Sequence, residues 1–181
     1  VRETLNHEAK TIIGAKAAAL IPEGCSLYIS SGTSCAAFAK ELPQQSMYIF
    51  TDGFMTAMAI PPYPEVRVEL FGGTLNRNLM RVLGPSVIEA MDQLSFDYAI
   101  LGTPGFHPDF GFAYTTQMIA TTTNKAIERA QKTIILMDSS KVNYIHTPRT
   151  LLMQDIDIVV SDGNLPQEIV DIMTSNGITV L

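Results

Sequence analysis

The chain has 181 residues, 46% hydrophobic and 17% charged, which is too apolar for a disordered segment and long enough for one domain, spanning residues 1–181, with a self-sufficient core. Twelve Lys and Arg stand against eighteen Asp and Glu, a net charge of −6, and the basic residues are scattered, so the chain lacks the clustered cations that a free-standing nucleic-acid binder needs. The longest apolar runs have the length of core strands and fall well short of the roughly 20 residues that cross a bilayer, and no signal peptide opens the chain, so no membrane contact and a cytoplasmic setting are expected.

Apolar segments of strand length alternate with helical patterns almost from end to end. Residues 5–20 carry Ile12, Ile13, Ala17 and Leu20 at helical spacing and stop at Pro22 and Gly24. A strand at 26–30 follows, then a helix at 34–42, a strand at 47–50, a helix at 54–60 and a strand at 66–71. Beyond a looser stretch the pattern gives a helix at 86–94, a strand at 98–101, a helix ending over 126–130 and a strand at 134–137. The chain closes with a strand at 156–160, a helix at 167–175 and a strand at 178–181. Such alternation, with continuous Val, Ile and Leu runs, predicts an α/β fold whose parallel sheet is covered by helices on both faces. Cys25 and Cys35 have no metal or redox spacing and read as small buried apolar residues in a reducing compartment. His7, His107 and His146 are isolated in sequence, so neither a metal nor another cofactor is expected.

Ligands of open α/β sheets bind outside the carboxyl ends of the strands. Six such ends carry small, hydroxylated or charged residues. They are Ser30-Ser31-Gly32-Thr33-Ser34, Thr51-Asp52-Gly53, Gly72-Gly73-Thr74, Gly102-Thr103-Pro104-Gly105, Asp138-Ser139-Ser140-Lys141 and Ser161-Asp162-Gly163. In the first, Gly32 lets backbone N–H groups approach an anion at a helix N-terminus, with hydroxyls on either side. The alternative is a plain Ser or Thr helix cap, which satisfies the same N–H groups internally. Gly72-Gly73 also reads as a simple turn, and Asp138-Ser139-Ser140-Lys141 as an Asx turn with a solvated lysine. There is no Walker loop, GxGxxG or nucleophile elbow.

As an ordered set these segments resemble the effector-sensing carboxyl-terminal domain of the DeoR family of sugar-metabolism transcriptional repressors. The resemblance covers essentially the whole chain: His7-Glu8-Ala9-Lys10, Ser31-Gly32-Thr33, Phe50-Thr51-Asp52, Leu70-Phe71-Gly72-Gly73, Gly84-Pro85, Asp97 through Gly102, Gly105, Asp138-Ser139-Ser140-Lys141, Asp155-Ile156-Asp157 and Ser161-Asp162. It implies a fold similar to ribose-5-phosphate isomerase and a phosphorylated sugar or related phosphorylated metabolite as effector. Ser31, Gly32, Thr33 and Ser34 would hold the phosphate, beside Ser30. Thr51, Asp52, Gly72, Gly73, Gly102, Gly105, Asp138 and Lys141 would line the rest of the pocket.

Three positions depart from the family pattern. Ser30 stands where an acidic residue is usual, and Asp52 where Asn is usual. An acidic pair with a Lys on the helix after Gly111 is replaced by Gln117-Met118-Ile119-Ala120-Thr121-Thr122-Thr123-Asn124, with Lys125 displaced. The last departure takes charge from the pocket floor, which implies a ligand smaller or less hydroxylated than the family's usual hexose phosphate. The resemblance further implies operator binding through an amino-terminal helix-turn-helix absent from this sequence, and a homo-oligomer. Candidate self-association surface lies at residues 60–64 and at Asn78-Leu79-Met80, the alternative being that these side chains cover the domain's own core. The alternative function on the same fold is an aldose-ketose isomerase, for which the strand end after Gly102 offers only His107 and Asp109 as proton-transfer groups.

Overall fold

The computed structural model describes residues 6–144 and 149–181. In chain order the first half comprises α1 (His7–Ala18), β1 (Ser26–Ile29), α2 (Thr33–Lys40), β2 (Met47–Thr51), α3 (Phe54–Ala59), β3 (Val66–Leu70), β4 (Thr74–Asn76), β5 (Arg81–Leu83) and α4 (Pro85–Asp92). The second half comprises β6 (Phe96–Gly102), β7 (Gly105–His107), β8 (Gly111–Ala113), α5 (Gln117–Glu128), β9 (Ala130–Leu136), β10 (Arg149–Leu151), β11 (Ile158–Val160), α6 (Gln167–Ser175) and β12 (Thr179–Val180). Short 3-10 turns cover Ser139–Lys141 and Met153–Asp155. The first residue of the helical pattern at 5–20, and His146, lie outside the described residues.

Seven strands pair in the order β12-β11-β9-β6-β1-β2-β3, every neighbouring pair parallel. Side-chain alternation along the strands divides the core in two. Leu27 and Ile29 of β1, Ile100 of β6, and Ile134 and Leu136 of β9 meet Ile13 and Ala17 of α1 and Cys35 and Phe38 of α2. Tyr28, Leu101 and Ile135 face the other way, toward Val87 and Met91 of α4, Ile119 and Ala126 of α5, and Ile169 and Met173 of α6. Tyr28, Phe50, Phe71 and Phe96 fill the second layer with ring centroids 5.5–6.3 Å apart. On the first face α1 lies so close to α2 that a Cβ at Gly14 would come within 2.9 Å of the Ala37 backbone.

The sheet expected from the sequence is therefore present, with three differences. The looser stretches hold two small antiparallel sheets, β4-β5 and β10-β8-β7, whose three-residue strands are too short to show a period. Ala130 does not end a helix but opens β9, because it pairs with Phe96, and Lys132 with Tyr98. Tertiary pairing overrides the weak strand propensity of Ala130, Gln131 and Lys132. Finally, residues expected to lie outside the core are partly claimed by it: Ile60 is buried among the α1–α3 face, and Leu79 packs against the aromatic layer.

Candidate functional site

The chain builds outward from β1 to β2 and β3, then returns to lay down β6, β9, β11 and β12 on the other side. The reversal falls between β1 and β6, and a crevice for ligands opens outside the carboxyl ends of the strands at such a switch point. The segments after β1 and β6 border it directly. Asp138 through Lys141, after β9, stands two strands from β1, about 10 Å away at the usual inter-strand spacing.

Gly32 adopts φ 146° and ψ 160°, a region that only glycine occupies without strain, and it serves as the N-cap of α2 with no side chain bonded to the first turn. A Cβ there would meet nothing within 4 Å, so the backbone angle and not crowding demands the glycine. Among the described residues no Ser or Thr side chain caps this helix, so its first N–H groups, with the residues Thr33 and Ser34, form an uncapped helix start at the switch point.

Behind the loop is a buried brace. Asp52 is fully buried; its Oδ1 accepts from the Ser31 N–H at 3.1 Å and its Oδ2 from Arg81 Nε at 2.6 Å. Arg81 is itself buried, and its Nη2 donates to the Tyr28 hydroxyl at 3.4 Å. Burial pulls the Arg81 guanidinium down, but the Asp52 charge outweighs it and holds the group above its ordinary value. Burial also raises the Tyr28 hydroxyl well above its usual range. Thr51 Oγ1 donates to the Ile29 carbonyl at 2.6 Å and accepts from the Gly53 N–H at 3.0 Å, while Thr56 Oγ1 donates to the Ser30 carbonyl at 3.1 Å. Ser30, Thr51 and Asp52 thus act from beneath the loop.

After β6, Gly102 lies against Cys35, and its carbonyl accepts from the Tyr114 hydroxyl at 3.0 Å. Burial pushes the Cys35 thiol up to about 12, which leaves it an inert core group. The Gly105 carbonyl accepts from Thr103 Oγ1 at 2.8 Å, and a Cβ on Gly105 would stand 2.5 Å from the Tyr144 carbonyl. Gly72 and Gly73 lie elsewhere, two strands from β1, where the Gly72 carbonyl accepts from Ser86 Oγ at 3.2 Å at the start of the β4-β5 hairpin.

After β9, Asp138 is 1% exposed. Its Oδ1 accepts from Asn6 Nδ2 and from the Ser140 N–H, each at 3.1 Å, and from the Ser140 hydroxyl. Its Oδ2 accepts no hydrogen bond among the described residues, and Lys141 Nζ stands 4.0 Å from it. Lys10 of α1, also buried, faces the same cluster: burial lowers its pKa, Asp138 opposes that fall and Lys141 adds to it. Asp162 ties in β11 by accepting from the Ser139 N–H at 3.2 Å and Ser139 Oγ at 2.9 Å. Burial alone would raise the Asp162 carboxyl, but hydrogen bonds from Ser139, Asn164 and Ser161 hold it below the usual carboxylate value.

Two members of this arrangement escaped the sequence reading. Arg81 sits inside the apolar run Leu79-Met80-Arg81-Val82-Leu83, and Lys10 precedes Ile13 and Ala17 on the buried stripe of α1; a charge at a core position was the available signal in both cases. Lys125 instead joins α5 to α4 through Asp92 at 2.8 Å and pairs with Glu128 at 2.9 Å. His107 Nδ1 accepts from the Asp109 N–H at 3.2 Å, and the Asp109 carboxylate is largely exposed.

Over residues 5–163 the chain matches the family described as the DeoR C terminal sensor domain. It is 25% identical to the HTH-type transcriptional regulator GlpR of Haloferax volcanii, covering 99% of this chain and 71% of that protein. It is also 25% identical to the glycerol-3-phosphate regulon repressor of Escherichia coli, covering 98% of this chain and 71% of that one. Among solved structures it is similar in fold to ribose 5-phosphate isomerase A of Methanocaldococcus jannaschii, with a TM-score of 0.55 and 17% identity over 76% of this chain and 55% of that one.

Proposed function

This chain belongs to the family of DeoR C-terminal sensor domains, and on that premise we propose that it recognises a small phosphorylated metabolite, a sugar phosphate or a polyol phosphate, at the switch point between β1 and β6. The observation that carries this reading is the uncapped start of α2 behind Gly32. A helix N-terminus offers several N–H donors and the positive end of its dipole to an anion, and Thr33 and Ser34 add hydroxyl donors there. Thr51, Asp52 and Arg81 position the loop from behind. Asp138 Oδ2 accepts a ligand hydroxyl, and Lys10 and Lys141 favour an anionic ligand. The uncharged segment Gln117-Met118-Ile119-Ala120-Thr121-Thr122-Thr123-Asn124 of α5, standing where the family pattern has an acidic pair, fits a ligand with few hydroxyls, and the name of the Escherichia coli relative points to glycerol 3-phosphate as the first compound to try. In the whole protein the bound state would be passed to a separate DNA-binding domain that contacts the operator.

Isothermal titration with glycerol 3-phosphate, ribose 5-phosphate and their unphosphorylated counterparts tests the reading. Charge-assisted hydrogen bonds contribute about 1.5–3 kcal/mol against about 0.5–1.5 for neutral ones, so losing several should cost on the order of a hundredfold in affinity. Lys141→Met, which keeps the aliphatic stem and removes the charge, should weaken the ester strongly while circular dichroism stays unchanged. Equal affinity for ester and parent alcohol, or normal binding by the variant, would show that α2 and Asp138 serve the fold alone.

A further inference from the structure

We infer that the open edge of the sheet at β3 is a two-fold interface at which a second copy of this chain pairs antiparallel, centred on Val68. This surface is separate from the proposed ligand site. Among the described residues β3 pairs only with β2, so its other edge has no strand neighbour. The hydrogen bonds to β2 fix which groups face outward. Glu65 O accepts from the Met47 N–H, and the Phe71 N–H donates to Thr51 O, so the odd-numbered residues of β3 bond inward and Val66, Val68 and Leu70 turn their backbone groups to the open edge.

That parity is what an antiparallel pair about Val68 needs. Val68 would exchange both backbone hydrogen bonds with its own copy, and the Leu70 N–H would donate to the Val66 carbonyl on each side. The Val66 N–H already donates to the Tyr63 carbonyl at 3.1 Å, which leaves the paired edge one donor short at each end.

The side chains commit the occupant. About this centre Arg67 stands opposite Glu69 of the other copy, and Glu69 opposite Arg67, in the non-hydrogen-bonded positions where cross-strand side chains come closest. The edge is therefore complementary to itself in charge, and Glu69 is already oriented by the Tyr48 hydroxyl, which donates to it at 2.9 Å. On the opposite face of the sheet Val68 and Leu70 are 43% and 38% exposed, although they lie in a strand. Helix α3 rests against β3 on that face and leaves Met55 and Met58 exposed as well. Pairing would bring these apolar residues from both copies together and close an edge that otherwise invites uncontrolled strand addition.

Sedimentation velocity on the purified chain over a range up to about 100 μM should show a dimer, since interfaces at the small end of the usual size range are held weakly. Arg67→Glu, which places glutamates opposite each other, should raise the dimer dissociation constant by about tenfold or more, and the reversed pair Arg67→Glu with Glu69→Arg should restore it. Both positions are exposed, so thermal melts of the monomers should stay close to wild type. Amide exchange at Val68 and Leu70 should slow as the dimer forms. A strictly monomeric chain, or a dimer whose affinity ignores the single charge reversal or is not rescued by the double one, overturns the inference.

Discussion

Single residues decide how the proposed phosphate loop is held. Asp52 pairs its charge with Arg81, the one cation in an ion pair with it among the described residues, and both groups are buried. Removing one partner of such a pair strands the other, which costs about 3–5 kcal/mol, whereas replacing both with groups of similar shape is often nearly neutral. Arg81→Met should therefore destabilise the chain by about that amount in a urea titration, and Arg81→Met combined with Asp52→Asn should recover most of the loss. A single variant as stable as wild type would mean that the ion pair does not hold the loop. The partner itself was out of reach of the sequence. Asp52 was legible as a departure from the usual Asn, but its compensating charge comes from 29 residues further on, and only the pairing of Gly53 with Arg81 brings the two together.

At the scale of elements, α2 is a short helix whose start is left without a side-chain cap. Its sequence, with Ser and Thr around Gly32, suited either a self-capped helix or an anion cradle, and the backbone angles decide what the letters could not. At φ 146° and ψ 160°, Gly32→Ala should cost about 1–3 kcal/mol in stability even though its Cβ would have open space. If the chain relaxes that strain by reorienting the first turn, phosphate-ester affinity should fall further than the Thr33→Val variant, which leaves every backbone donor in place. Stability unchanged within about 0.5 kcal/mol would show the loop to be more pliable than its angles imply. The longer elements were legible because their apolar residues repeat: α6 spans residues 167–175 as its period says, and β1, β2 and β3 follow their apolar runs closely. Strands β4, β5, β7, β8 and β10 have three residues each, one side-chain alternation, and exist through pairing partners that no local pattern encodes.

Across the whole molecule, the proposed site gathers residues from separate parts of the chain: Lys10 from α1, the loop after β1, its brace from β2 and β5, and Asp138 with Lys141 after β9. Sequence order could show that each strand end carried polar residues, since that depends on local composition; it could not show that β9 adjoins β6 at the switch point while Gly72-Gly73 follow β3, cut off from β1 by β2, because that is set by the strand order. A ligand bridging these elements binds the folded chain and has no counterpart in the unfolded one, so its binding energy appears directly as stability. At 100 times its dissociation constant it should add about 2.7 kcal/mol, and for a chain of this size each kcal/mol raises the melting temperature by about 2–4 °C. A screen of phosphate esters should thus find at least one that raises the melting temperature by about 5–10 °C, while the matching alcohol at equal concentration shifts it by less than about 1 °C. The Lys141→Met variant should lose that shift while retaining a single cooperative transition. If esters and alcohols shift the transition equally, or the variant responds like wild type, the stabilisation comes from the solvent or another surface and not from the strand ends at the switch point.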